Sequence, residues 1–429
     1  MCDFLYHLFW RYTLKYLKKK EASLLILGCW LVYTAAYIGR LDYSASMVKI
    51  ISELGITNDQ GGLVYSCFAL TYGIGQLVNG ILCKRYNPKF VITGALLVSA
   101  IVNVFMPLAG DHRIMAALWL VNGIVQSMLF SLLIRTLSRN IASHTISKAI
   151  YVMSSTVAAG TASAYGLSAL FVALGMWKVT FFVAAALLVA AAITWVFIMT
   201  RVEKAVKSGE TEEDELAALK KDANAAISGK SSIGGIFIAT LIFVAITAIA
   251  NGFIKDGVNN WLPKILRDEF GVADSLSIIL TLLLPLFSIL GSIIARKLYL
   301  RLKNHLLING IFYTVAFTLA LTVYLIYPLR TVAFTMVLFI GLACMMAAIN
   351  NVITSMFPLD NRDKMDSGLL AGLLDTLCYV GSSAAGTLLG KMSQSLGWSS
   401  VLVILFIFAG VAALICLSFS VLTKKKIVK

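Results

Sequence analysis

Charge is what this chain of 429 residues has least of: Asp, Glu, Lys and Arg together make up 13% of it, against roughly 25% in a soluble globular domain. With 59% of residues hydrophobic and a mean hydropathy of +0.87, a water-soluble fold is excluded and an integral membrane protein follows. Apolar runs of about 20 residues suit helices that cross the hydrocarbon, and the alternation of an outer-membrane barrel is missing. Histidine is equally scarce. His7, His112, His144 and His305 all fall in loops or at predicted span ends, so none is placed for catalysis. The seven cysteines stand singly, with no CxxC and no histidine at ligand spacing; neither a disulfide framework nor a metal site is expected, and no cofactor is implied. No small-residue cleavage site follows MCDFLYHLFWRYTLKYLKKK, whose interleaved aromatic and basic residues read as an interfacial amphipathic segment, not a signal peptide. An enzyme is not expected, because no Ser, Cys or His constellation has catalytic spacing.

The charge that is present is unevenly placed. The net +15 comes from alternate loops: Lys18 to Lys20, Lys84 with Arg85 and Lys89, Arg135 with Arg139 and Lys148, Arg201 to Lys221, Arg296 to Lys303, Arg362 with Lys364, and Lys424 to Lys426. The intervening loops, around Asp59, Asp111, Lys178, Asp274, Arg330 and Gly397, are poorer in cations. This is the positive-inside pattern, which puts both termini and the central loop in the cytoplasm of a cell-membrane protein. The cations thus report orientation in a lipid bilayer, and no nucleic acid partner is expected.

Apolar windows give twelve spans, near 24–50, 62–82, 89–109, 114–135, 147–174, 177–200, 233–264, 275–298, 305–327, 331–354, 367–391 and 398–421. The one long polar stretch, 201–232, divides them into bundles of six at 24–200 and 233–421, flanked by the amphipathic start 1–23 and a basic tail 422–429. The expected fold is therefore an all-α membrane protein with two pseudo-symmetric six-helix bundles. The halves also share a local pattern. Lys49-Ile50-Ile51-Ser52-Glu53-Leu54-Gly55 is matched by Lys264-Ile265-Leu266-Arg267-Asp268-Glu269-Phe270-Gly271 with one residue inserted. An intramembrane cation, Arg40 or Lys255, precedes each copy by a similar distance. Repeated halves with a site between them at the bilayer midplane are the general plan of secondary transporters.

A cation at mid-bilayer costs about 2.5–3.5 kcal/mol on insertion scales, so it faces the bundle interior and marks function by default. Tyr33, Tyr37 and Ser44 lie at i−7, i−3 and i+4 from Arg40 and form one stripe with it. Asn251 and Asn259 flank Lys255 in the same way. Asp375 is the other intramembrane ionisable group, with Tyr379 and Ser382 on its face. It has three functional readings, a counter-charge to Arg40 or Lys255, a contact for a cationic substrate group, or a proton carrier, and a bland one, a buried group that is mostly protonated or hydrogen-bonded. Tyr72, Gln76 and Asn79, Asn122 with Gln126, Ser154 with Ser155, and Asn350 with Asn351 extend the polar lining, although each alone is more often an interhelical hydrogen bond. The bland alternative for Arg40 is an ion pair with Asp42 or Asp375. For Lys255 it is a pair with Asp256, against which stands the divergence of adjacent helical side chains. Trp261 reads as an anchor near the outer interface.

Six plus six spans, the central loop, and YxxR followed by ELGITNDQGGLVYSCFALTYGIGQLVNG resemble the major facilitator superfamily. Within it, FALTYGIGQLVNGILCKRYNPKF, FIKDGVNNWLPKIL and SGLLAGLLDTLCYVGSSAAGTLLGKMSQSLGW are similar to the second, seventh and eleventh spans of the organophosphate/phosphate antiporters, which include glycerol-phosphate and hexose-phosphate transporters. The resemblance implies that Arg40 and Lys255, one from each half, bind the substrate phosphate, with Lys255 standing where the glycerol-phosphate transporter has a second arginine. Lysine offers a point charge in place of a bidentate fork. Gln76 stands where that transporter has a lysine, and Ser155 or Thr156 where it has a histidine. Cys83-Lys84 occupies the place of the superfamily's loop aspartate, while Arg135, Arg139 and the RYNPK loop look like its gating elements.

The resulting expectation is a monomeric carrier that exchanges a small organic anion, a phosphate ester, for inorganic phosphate by alternating access. The substrate site comprises Arg40, Lys255, Tyr37, Tyr33, Ser44, Gln76, Tyr72, Gln126, Asn251, Asn259, Asp375 and Tyr379. The rivals are a proton- or sodium-coupled symporter of an organic anion such as a carboxylate, and a transporter-like membrane sensor of a sugar phosphate.

Overall fold

The computed structural model describes residues 15–207, 211–213 and 234–427. Most of the amphipathic start, most of the 201–232 linker and the end of the basic tail lie outside the described residues. Twelve helices are long and apolar enough to span a bilayer: α1 Lys19–Leu54, α2 Asn58–Leu82, α3 Pro88–Leu108, α4 His112–Asn140, α5 Lys148–Ala173, α6 Trp177–Val206, α7 Gly235–Phe270, α8 Asp274–Leu302, α9 His305–Leu329, α10 Val332–Asp360, α11 Ser367–Leu396 and α12 Trp398–Ser420. Helices satisfy their own backbone groups, which is what a medium without water demands. The chain is an all-α, multi-pass membrane protein.

Several helices overrun the limits that hydropathy suggests, and in α1 and α7 the overrun has one shared reason. In α1 an i,i+4 pair, Lys49–Glu53 at 3.4 Å, carries the helix past its apolar core to Gly55. In α7 the matching pair, Lys264–Asp268 at 2.6 Å, carries it to Gly271. Each helix stops at a left-handed glycine, φ 63° and 66°, where a side chain would be strained. The sequence repeat is thus a structural one.

Lys15–Leu17 (β1) is extended and pairs antiparallel with Thr211–Glu213 (β2) just beyond α6, in the register Lys15 with Glu213 and Leu17 with Thr211. Within the described end of the amphipathic start a short ladder thus precedes α1, which begins at Lys19.

The halves meet along α2 and α11. At Gly62 an added Cβ would strike the Gly386 carbonyl, and at Gly390 it would meet the Asn58 carbonyl. Small residues at this seam let the backbones touch. Ser66 donates to the Ser383 carbonyl at 2.5 Å, Ser383 to the Ser66 carbonyl at 3.0 Å, and Thr387 to Ser66 at 2.8 Å. Farther along, Asn58 donates to Ser393 at 3.0 Å, and Arg267 reaches the Val48 carbonyl at 3.3 Å. Between described residues, these bonds run from the level of Gly73 and Thr376, 2.9 Å apart, toward the side opposite β1. The halves are sealed on that side.

Trp261 belongs to this seal. It is fully buried against Trp398, centroids 5.7 Å apart, and abuts Gly62 and Gly390. The expected interfacial anchor is instead a packing wedge, because the seam glycines leave a slot of indole size.

Candidate functional site

The first half builds its part of the site around a break in α1. Gly39 departs from helical geometry, φ −77° and ψ 15°. The N–H of Tyr43, whose helical partner would be the Gly39 carbonyl, donates to Asp42 Oδ1 at 2.7 Å. The carbonyl itself accepts from three side-chain amides: Asn103 of α3 at 3.1 Å, and Asn122 and Gln126 of α4 at 3.0 and 3.2 Å. The Gly39 carbonyl and the Tyr43 N–H have both found partners, which is why a kink in a low-dielectric setting persists. Ser99 completes the cluster by donating to Asn122 at 2.6 Å and accepting from Gln126 at 3.0 Å. Gln126 was expected to line the cavity. Its amide nitrogen is instead committed to this cluster, and Asn122 likewise supports α1.

The next residue after the captured peptide is Arg40. Its side chain, 6% exposed, lies over the Tyr37 ring at 3.6 Å, with Tyr72 at 5.0 Å and Tyr33 at 5.7 Å. The rings pack on one another, Tyr33 against Tyr37 at 5.2 Å and Tyr72 against Tyr379 of α11 at 5.0 Å. Both halves therefore contribute to one aromatic enclosure around a guanidinium, held by cation–π contacts. Among the described residues Arg40 makes neither a hydrogen bond nor an ion pair, and the alternative of a bond to Asp42 or Asp375 is not formed. Asp42 serves the kink on the buried side, its Oδ2 without a hydrogen-bond partner. Ser44, one turn beyond Arg40, is buried and its hydroxyl is likewise unpartnered. Gln76, one turn from Tyr72, is half-buried.

In the second half Lys255 does pair with its neighbour. Its Nζ lies 3.6 Å from Asp256 Oδ1, and Asp256 Oδ2 accepts from Ser382 of α11 at 2.5 Å. Helical divergence separates adjacent Cβ atoms, but a four-carbon stem can fold back across it. Asp256 is thus a candidate site residue, and the pairing that the sequence offered as the alternative for Lys255 is formed. Asn251 donates to Asn350 of α10 at 3.1 Å and keeps its own oxygen unpartnered. Asn350 borders a π-helical turn at Val352–Met356, a register change that recurs near functional positions. Asn259 is half-buried. Asp375 is half-buried and makes no hydrogen bond or ion pair among the described residues, yet it lies within electrostatic reach of Lys255, Asp256 and Arg40. Tyr37 is within electrostatic reach of both Arg40 and Lys255.

Away from this centre, Arg135 donates to the Cys83 carbonyl and to that of Tyr86 at 3.4 Å, so the end of α4 is fastened to the α2–α3 connection through backbone oxygens where an aspartate is missing. Lys89 pairs with Glu203 at 2.9 Å. A groove of about 690 Å³ between α3 and α6 is lined by exposed apolar side chains such as Leu97, Phe105, Phe182 and Ile193; it carries no polar group to orient an anion. Among the described residues no cluster of three His, Cys, Asp or Glu could hold a metal.

Comparison with known proteins bears on the family and the fold. The family model described as Major Facilitator Superfamily matches residues 25–365. The Membrane sensor protein UhpC of Escherichia coli is 21% identical, covering 92% of this chain and 91% of its own. The Probable sulfoacetate transporter SauU of Cupriavidus necator is 24% identical over 86% of each chain, and the Glycerol-3-phosphate transporter of Bacillus subtilis 22% over 88% of each. Among solved structures, a bacterial homolog to the human lysosomal transporter Spinster, inward-facing and unoccupied, superposes with a TM-score of 0.72 at 16% identity, over 94% of this chain and 98% of that one. At that identity the likeness is one of fold.

Proposed function

Because the chain belongs to the Major Facilitator Superfamily, we propose that it is a secondary carrier for a small organic oxyanion, a phosphate ester or close analogue, taken up in exchange for inorganic phosphate. One observation carries the reading: a guanidinium buried at the middle of α1 has tyrosine rings around it and no carboxylate partner among the described residues. A permanent charge held this way is incomplete until an anion arrives. The oxyanion lies against Arg40 on the side facing Lys255, which keeps Asp256 as its partner.

The bonds that join α2 and α11 from Gly73 toward the side opposite β1 support alternating access. In this reading the site opens toward the side of β1, which the basic loops favour as the cytoplasmic side of the cell membrane. Neutralising Arg40 with substrate avoids enclosing an uncompensated charge as the halves rock, which makes exchange obligatory. The relatives named above support an anionic cargo, since they include transporters named for glycerol 3-phosphate and sulfoacetate.

Counterflow of labelled phosphate in proteoliposomes against a panel of sugar phosphates, sulfonates and carboxylates tests this, with Arg40→Ala expected to abolish exchange. Wild-type exchange rates in Arg40→Ala refute it. The sensor relative raises a second reading: ligand binding with no flux would mark this chain as a receptor.

A further inference from the structure

The site holds two cations and two carboxylates, and they are not equivalent. Lys255 and Asp256 lie 3.6 Å apart, with Ser382 on the second carboxylate oxygen at 2.5 Å; one charge of each sign is accounted for. Arg40 faces only rings, and Asp375 has no bonded partner among the described residues. What remains is one unpaired cation on α1 of the first half and one unpaired carboxylate on α11 of the second. Between them stand Tyr72 and Tyr379, 5.0 Å apart, with Tyr379 one helical turn along from Asp375. The site is a dipole laid across the two halves.

We propose that the cargo is zwitterionic: an oxyanion on a short aliphatic spacer that ends in an ammonium group, with the oxyanion on Arg40 and the ammonium on Asp375. This rests on Arg40 being the anion site. A cargo bearing only hydroxyl groups would bring its negative charge to a site whose four ionisable groups already sum to zero, leaving the Asp375 carboxylate unpaired when the cavity closes. Removing one partner of a buried ionic arrangement is more costly than never burying it. An ammonium gives Asp375 a charge-assisted hydrogen bond and leaves no ion stranded. The Tyr37, Tyr72 and Tyr379 rings suit a spacer of CH₂ groups between the two charges.

The test is binding of matched pairs to the purified full-length protein, read by thermal stabilisation. The pairs are 2-aminoethyl against 2-hydroxyethyl phosphate, and 2-aminoethanesulfonate against 2-hydroxyethanesulfonate. The amine of each pair is expected to bind at least about tenfold more tightly, the scale of one charge-assisted hydrogen bond. Asp375→Asn brings the ratio to about one. Asp375→Glu, which keeps the carboxylate, keeps the preference, and this separates lost charge from a folding defect. A wild-type ratio at or below one, no binding of either amine at millimolar concentration, or a ratio unchanged in Asp375→Asn overturns the zwitterion. Amine binding that survives Arg40→Ala overturns the anion-site reading beneath it. Hydroxyl compounds that bind best and are lost in Arg40→Ala sink only the zwitterion.

Discussion

Gly62 offers a direct way to weigh the sealed arrangement against its opposite. In Gly62→Ala the new methyl meets the Gly386 carbonyl with the Trp261 ring at 2.9 Å behind it, so neither a backbone oxygen nor a fully buried indole can easily give way. Overpacking of this kind costs about 1–3 kcal/mol. The contact joins the two halves, so the cost falls on the state in which α2 and α11 are closed here and not on the open alternative. The ratio of sealed to unsealed molecules should drop by about 5- to 150-fold. Asn58 and Ser393 face each other across the same seam at 3.0 Å and serve as the reporter. With the native cysteines replaced, Asn58→Cys and Ser393→Cys should cross-link readily, and adding Gly62→Ala should slow that reaction. Gly252→Ala is the control, because its methyl meets the Cys378 carbonyl inside the second half; it should lower thermal stability without changing the cross-linking rate. An unchanged rate in Gly62→Ala, with expression and melting intact, refutes the reasoning.

Three further outcomes follow. Asp256→Asn leaves Lys255 without its carboxylate; since the two side chains are 29% and 15% exposed, the expected loss is about 1–3 kcal/mol, below that of a fully buried pair, and Lys255→Met with Asp256→Leu should recover most of the melting temperature. Asn122→Leu removes one of three donors to the Gly39 carbonyl and should cost about 0.6–2 kcal/mol of stability, with anion affinity falling alongside because Arg40 is the next residue; unaltered affinity in calorimetry would detach the kink from the site. Arg40→Lys keeps the charge but loses the planar fork, and phosphate affinity should fall about tenfold or more, measured by titration of the purified protein.

Hydropathy alone locates the twelve helices, because span length is set by the bilayer and each span must be apolar. It misjudges where α1 and α7 end, since Lys49–Glu53 and Lys264–Asp268 extend a helix with charged residues that a hydropathy window discounts. It is blind to the break at Gly39. That break depends on one ψ angle and on amides delivered from α3 and α4, a convergence that no local pattern contains. Arg40 and Lys255 were legible as anomalies of composition, and Tyr33 and Tyr37 from helical spacing. Gln126 is ambiguous by its sequence alone: an amide at mid-span announces a hydrogen bond without saying whether its partner is substrate or backbone, and here its nitrogen is bonded within the protein while its oxygen is not. Asp256 was visible but discounted, because spacing rules speak of Cβ directions and not of how far a lysine can fold back. The β1–β2 ladder had no signal, as three polar or mixed residues on each side carry no alternation long enough to read.

That ladder changes what the first half is as a piece of chain. Its strands lie just before α1 and just after α6, so the six-helix unit is fastened at its own entrance and exit. A break in the chain after Glu213 would part the two units without untying either end of the first. Two separately made fragments, or a circularly permuted order with the second unit leading, could then be assembled around an intact first unit, provided that Lys15–Leu17 stays on the same piece as Thr211–Glu213.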